Sequence, residues 1–220
     1  KEIIEKLNGS NFIIDSYSCS VFAENIIKSK FKIRAKEDPI YKLKSVKNSS
    51  EIKNMIQAHK KDGLALTKFI YWLKNVNKKN ITEVHAQNKL EKFRKMDQDY
   101  LYPSFNTIAG TGSNGAIVHY RATKKNTKNI NSKDIFLCDS GGQYKYGTTD
   151  VTRTICFSTQ KQYIIDTFTK VLKGHIAVAL TNLNKDNTGK KIDIRARRFL
   201  KKDGLDYAHG TGHGVGFFLN

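Results

Sequence analysis

Two aspartates, Asp139 and Asp150, stand eleven positions apart in a run rich in glycine and threonine. Ile135 to Asp139 before the run and Val151 to Phe157 after it read as strands, and the residues between suit a reversal joining antiparallel neighbours. In such a hairpin both carboxylates can converge on one point. Adjacent carboxylates repel, and a divalent cation is the usual remedy. Taken alone the pair is weak evidence, because turn-capping aspartates are common in loops. Further on, His209-Gly210-Thr211-Gly212-His213-Gly214-Val215-Gly216 places two imidazoles four residues apart. The interleaved glycines disfavour a helix. In an extended chain, residues of equal parity share one face. His209, Thr211 and His213 then line one side, with glycine on the other where backbone can pack closely. One imidazole can coordinate while the other handles a proton or a substrate oxygen.

A mostly oxygen ligand set with one imidazole favours Mn²⁺, Co²⁺ or Zn²⁺ over a thiolate-type structural zinc. Paired divalent ions would activate water for hydrolysis. The charge balance leaves a gap, because two such ions bring twice the charge that Asp139 and Asp150 return. Further carboxylates are needed, and none follows His213.

The rest of the chain bounds what these groups can serve. Its 220 residues, 39% hydrophobic and 10% aromatic, suit one sizeable domain plus a fragment of another. No apolar run approaches the roughly 18 residues of a membrane span. Charges at Lys1, Glu2, Glu5 and Lys6 occupy the place of a signal peptide's apolar core. Cys19, Cys138 and Cys156 form no CxxC pair and are odd in number, so a reducing, cytoplasmic setting is expected. Cys138 and Cys156 are expected to pack rather than react. The formal charge of +19 invites a nucleic-acid reading. It is carried mainly by lysine scattered among asparagines, with few arginines and no nucleic-acid-binding motif, so specific nucleic-acid binding is not expected.

Asp38-Pro39 marks a boundary, since the residue before proline is pushed to extended backbone. The spacing predicts a helix from the capping serines Ser49 and Ser50 to about Asp62, continuing from Leu64 to Lys74. Another runs from the cap Thr82 to about Arg94, with Val84 and Leu90 inward. From Thr107 short strands with glycine punctuation follow, Ile117 to Tyr120 among them. Helices over about 160–182 and 192–202 come next, the second stopped by Gly204. The histidines lie on a last strand. Helices, then strands, then helices and strands again indicate an α+β fold with antiparallel pairing.

Several runs together resemble the aminopeptidase P (Xaa-Pro aminopeptidase) family, long multidomain branch, of the metallopeptidases with the pita-bread fold. They are Asn114 to Tyr120, Asp139 to Tyr144, Gly147 to Thr154 and Leu205 to Gly216, with Lys173 to Val178 and Ala58 to Gly63 in support. The likeness extends from about Asp38 to Asn220. It implies an incomplete pita-bread catalytic domain over 38–220, truncated before its last strands. Residues 1–37 would be the tail of a creatinase-like N-terminal domain. It further implies a dinuclear, usually manganese-dependent enzyme that removes the N-terminal residue from peptides with proline in second position. Asp139, Asp150 and His213 would be metal ligands, with Asp150 bridging both ions. His119 would contact the peptide near the scissile bond, and His209 would assist or relay protons. Arg153 would steady carboxylates or form a structural salt bridge. His59, His85 and His175 match no ligand position and are expected at the surface or in packing. The family pattern needs two glutamates and another histidine beyond the glycine-rich strand. The polypeptide alone is therefore expected to be inactive, needing a complementary C-terminal polypeptide, and the full-length family allows a homodimer. A non-catalytic pita-bread module that binds peptides or proteins is the alternative, and a methionine aminopeptidase-like hydrolase a weaker one.

Overall fold

The computed structural model describes residues 2–186 and 188–219. They form two compact units, divided between Ile52 and Lys53. The first begins with α1 (Glu2–Lys6) and then builds β1 (Asn11–Ile14), α2 (Val21–Lys28) and β2 (Lys32–Ala35). The two strands pair in parallel, which requires a crossover, and α2 supplies it. Ser20 caps α2 by accepting from the Ala23 N–H, and Ile14, Ile27 and Phe31 form the small core. Asp38 has the extended backbone that Pro39 imposes, and its carboxylate caps α3 (Pro39–Ser45), which opens on that proline.

A single helix, α4 (Ser49–Asn75), replaces the two expected segments and runs through Gly63 without a break. Its start is set by Asn48 rather than by the serines. The Asn48 side chain accepts from the Glu51 N–H at 2.9 Å, and the Glu51 carboxylate accepts from the Asn48 N–H at 2.8 Å. This reciprocal pair satisfies two otherwise orphaned donors. Helix α5 (Glu83–Arg94) begins where expected, with Thr82 Oγ1 accepting from the His85 N–H.

The remaining strands are β3 (Tyr100–Pro103), β4 (Ile108–Thr111), β5 (Ile135–Ser140), β6 (Gly142–Tyr144), β7 (Gly147–Thr148) and β8 (Val151–Cys156). They make two antiparallel three-stranded sheets, ordered β4-β5-β8 and β3-β6-β7. Leu66, Phe69 and Leu73 of α4 and Ala86 and Leu90 of α5 pack on Ala109, Phe136, Cys138 and Ile155 of the first sheet. Burial pushes the Cys138 thiol up to about 12, in keeping with a packing role. Cys156 departs from expectation and is exposed, because alternation at the end of β8 turns it outward.

Ile117 to Tyr120 forms no strand. A 3₁₀ turn over Gly112–Ala116 leads into a bend at which His119 adopts a left-handed φ of 56°. Helices α6 (Gln162–Ala179) and α7 (Gly189–Lys201) pack through small residues, with Gly174 against the Ala196 carbonyl. Gly204 ends α7 with φ 70°, and the Leu205 N–H reaches back to the Leu200 carbonyl. Beyond it, 205–219 is not the expected strand, since none of the backbone hydrogen bonds of a sheet ladder is made there among the described residues. Gly210, Gly212 and Gly214 face open space rather than a closely packed neighbour.

Candidate metal centre

The two aspartates are placed by one hairpin with a single register. Asp139 pairs with Thr152, Ser140 with Val151, Gln143 with Thr148 and Tyr144 with Gly147. Carried through the junction, this register sets Asp150 opposite Gly141. Residues two apart on a strand share a face, so Asp139 and Asp150 are diagonal neighbours on the same side of the hairpin. Phe136, Cys138 and Ser140 point the other way, into the interior. Gly141 is required at the junction because a Cβ there would overlap Thr149 O and Ser104 Oγ.

Around this pair the electrostatics follow from position. Burial, and then the Asp139 carboxylate, raise Asp150 above the usual carboxylate range, while His213 and His59 pull it back down. Thr152 Oγ1 donates to Asp139 Oδ1 at 2.8 Å. His213 Nε2 stands 3.2 Å from Asp150 Oδ2, with 61% of the imidazole side chain and 18% of the aspartate side chain exposed. His213 Nδ1 faces the Gly214 carbonyl at 3.0 Å, which only a protonated nitrogen can satisfy. In the neutral ring Nε2 is then a lone pair aimed at a carboxylate, and only a proton or a cation between them relieves that opposition. This donor chemistry fits a divalent ion. The set is partial: among the described residues no group of three or more His, Cys, Asp and Glu side chains stands close enough to hold a metal ion.

His119 and His209 make no hydrogen bond to either aspartate among the described residues. His209 is held by ring stacking on Tyr207, with centroids 4.7 Å apart, and by its Nδ1 contact with the Gly210 carbonyl at 2.8 Å. Arg153 is exposed and, among the described residues, donates only to the Thr152 carbonyl, so neither role expected of it is seen there. His59 was not expected near the pair. One turn of α4 explains it. Met55 Sδ accepts from the Thr148 N–H at 3.4 Å, Ala58 packs on Gly147, and His59 Nδ1 meets the Met55 carbonyl at 2.8 Å. The run Ala58 to Gly63, among the quoted resemblances, was the available signal. His85 packs on Trp72, and His175 is exposed.

Asp150 also predicts a pH dependence. A carboxyl whose folded pKa is raised binds more protons folded than unfolded once pH exceeds its unfolded value of about 3.9. Stability is then lost as pH rises through the folded value, and the deficit persists at neutral pH. In chelator, Asp150→Asn is expected to be more stable than the parent at neutral pH, an advantage that shrinks toward pH ~4. Urea midpoints across that range check it, and a difference independent of pH would refute it.

With fold and site in view, the class is defined. The sequence profile of metallopeptidase family M24 matches residues 53–220, and the chain belongs to that family. Among particular relatives, "Probable Xaa-Pro aminopeptidase P" of Paracoccidioides brasiliensis (strain Pb03) is 46% identical over 192 residues, covering 86% of this chain and 31% of the relative. An uncharacterized peptidase of Schizosaccharomyces pombe is 48% identical over 184 residues, covering 83% and 31%. Among solved structures, X-prolyl aminopeptidase from Caenorhabditis elegans, described as a cytosolic enzyme with a di-nuclear active site, superposes with TM-score 0.77 at 32% identity, covering 88% of this chain and 32% of that one. Prolidase from Pyrococcus furiosus gives TM-score 0.83 at 25% identity, covering 99% and 63%. The chain thus spans about a third of the length of the curated relatives it matches. The pita-bread assignment and the α+β expectation hold. No helix among the described residues is long and apolar enough to cross a membrane.

Proposed function

We propose that this chain carries the two-aspartate and imidazole portion of a dinuclear metal site, used to release the N-terminal residue from peptides with proline in second position. The observation that carries the proposal is the same-face pair Asp139 and Asp150 with the His213 imidazole set against Asp150. The Xaa-Pro relatives support the substrate class. Asp139, Asp150 and His213 would hold the ions, manganese by preference and cobalt or zinc as substitutes. When bound, the ions supply Lewis-acid stabilisation to peptide-bond hydrolysis. His119 would contact the peptide near the scissile bond, and His209 would relay a proton. A cytoplasmic setting accords with the free cysteines.

Two carboxylates do not neutralise two divalent ions, so further acidic side chains are expected to complete the ligand set. Calorimetric titration with Mn²⁺ tests the reading. Saturable binding that Asp150→Ala and His213→Ala each abolish is the expected result. The lack of three converging ligands among the described residues is what a non-catalytic peptide-binding module would show. An absence of metal binding together with retained affinity for a proline-containing peptide would favour that module.

A further inference from the structure

Among the described residues the glycine-rich segment that bears His209 and His213 has no ladder partner, and Gly210, Gly212 and Gly214 face open space. One side chain compensates. Arg197 on α7 donates from Nη2 to the His209 carbonyl and from Nη1 to the Tyr207 carbonyl, both at 2.7 Å. Nη1 also reaches Asp206 Oδ1, and Nε reaches Asp193 Oδ1, each at 2.8 Å. The guanidinium carbon lies 3.9 Å from the centre of the Tyr207 ring, the same ring on which His209 stacks. Tyr207 Oη meets Thr211 Oγ1 at 2.6 Å, and Thr211 in turn donates to Asp193. Arg197 is mostly enclosed, with 14% of its side chain exposed. The segment's far end is tied separately, by the Phe218 N–H on Thr148 Oγ1 at 2.9 Å.

We infer that Arg197 is a positioning residue: its planar fork and its stack on Tyr207 set the backbone path that fixes His209 and presents His213 to Asp150. The inference deepens the proposed function and rests on it for the use made of the two imidazoles. The fork is essential. Lysine keeps the charge, yet a single ammonium cannot hold two carbonyls and two carboxylates in one plane or stack on a ring. The carboxylates respond accordingly. Thr211 first, and then Arg197, hold Asp193 below the usual carboxylate range, and Arg197 does the same for Asp206. Gly210, Gly212 and Gly214, which follow His209 and flank His213, make the segment soft, so its geometry must be imposed from outside.

The test follows the ring signals of the six histidines by NMR in the full chain, together with Co²⁺ binding by absorbance. Arg197→Lys is expected to shift the His209 and His213 signals and leave those of His59, His85, His119 and His175 in place. It is also expected to weaken Co²⁺ binding by about 10-fold, in the range found when groups behind metal ligands are changed. Asp206→Asn, at an exposed partner, should give a smaller shift of the same two signals. Unmoved His209 and His213 signals in Arg197→Lys, or an equal shift of all six, would overturn the inference. Should Arg197→Lys fail to fold, the Asp206→Asn signals decide in the same way. If the parent chain binds no Co²⁺, the metal reading of His213 falls, while the ring signals still decide the role of Arg197.

Discussion

Asp62→Ala is expected to destabilise the protein by about 3–5 kcal/mol. Asp62 and Arg94 are both buried, and two parallel hydrogen bonds join them, Nε to Oδ1 at 2.6 Å and Nη2 to Oδ2 at 3.0 Å. Nη2 also donates to Ser140 Oγ at 3.0 Å, and the Tyr144 hydroxyl donates to Asp62 Oδ1 at 3.0 Å. Helices α4 and α5 are thereby fastened to the strand position next to Asp139. Burial alone pulls the Arg94 pKa down, and the hydrogen bonds and charge of Asp62 more than offset it. The guanidinium is already short of acceptors, since Nη1 has no partner among the described residues. Removing Asp62 strands a charge that water cannot reach. Asp62→Leu combined with Arg94→Met should recover most of the loss, because apolar groups of similar volume need no partner. Denaturant unfolding of the three proteins checks this, and a cost below about 1 kcal/mol, the scale of an exposed pair, for Asp62→Ala would refute it.

Glu83→Ala is expected to cost at least about 3 kcal/mol and to loosen 111–128. The Glu83 carboxylate is fully buried and accepts from the Thr111 N–H at 2.8 Å, the Lys128 N–H at 3.0 Å, the Tyr120 hydroxyl at 2.8 Å and Asn114 Nδ2 at 3.0 and 3.1 Å. Burial, and then this carboxylate, push the Tyr120 hydroxyl up to about 12. His119 lies between Asn114 and Tyr120, so the same carboxylate fixes the bend in which His119 holds its left-handed backbone. Amide exchange at Thr111 and Lys128 should accelerate in the variant, and Tyr120 should titrate at lower pH. Glu83→Gln is expected to fail as well, because its amide would point donors at donors. Unchanged exchange at both amides would sink the idea.

What the sequence disclosed is what short-range physics governs. Thr82 announced α5 because a hydroxyl before an apolar-periodic run has one favourable use. The glycine- and threonine-rich reversal between two apolar strand runs was enough to suggest that Asp139 and Asp150 converge, while the register that sets them on one face came only from the fold. Asn48 was overlooked in favour of two serines nearer the helix, since side-chain caps of similar chemistry compete over a few residues. The pairing of Asp62 with Arg94, and of Glu83 with Asn114 and Tyr120, depends on tertiary approach and leaves no local pattern. His59 belongs with these, brought beside Asp150 by the seat of α4 on Gly147 and Thr148. The histidine segment was misread as a strand because alternation guarantees an extended path only where a neighbouring strand completes the ladder.

The uniform register from Ile135 to Cys156 bears on how the chain first assembles. Tyr144 and Gly147 leave only Lys145 and Tyr146 between them, a closure that sacrifices little chain entropy. Each further pair then adds beside one already formed, so Asp150 is drawn toward Asp139 by progressive zipping rather than by a long-range search. Charge repulsion between the two is met late, after most of the ribbon has closed. Ion capture is accordingly not needed to nucleate this element.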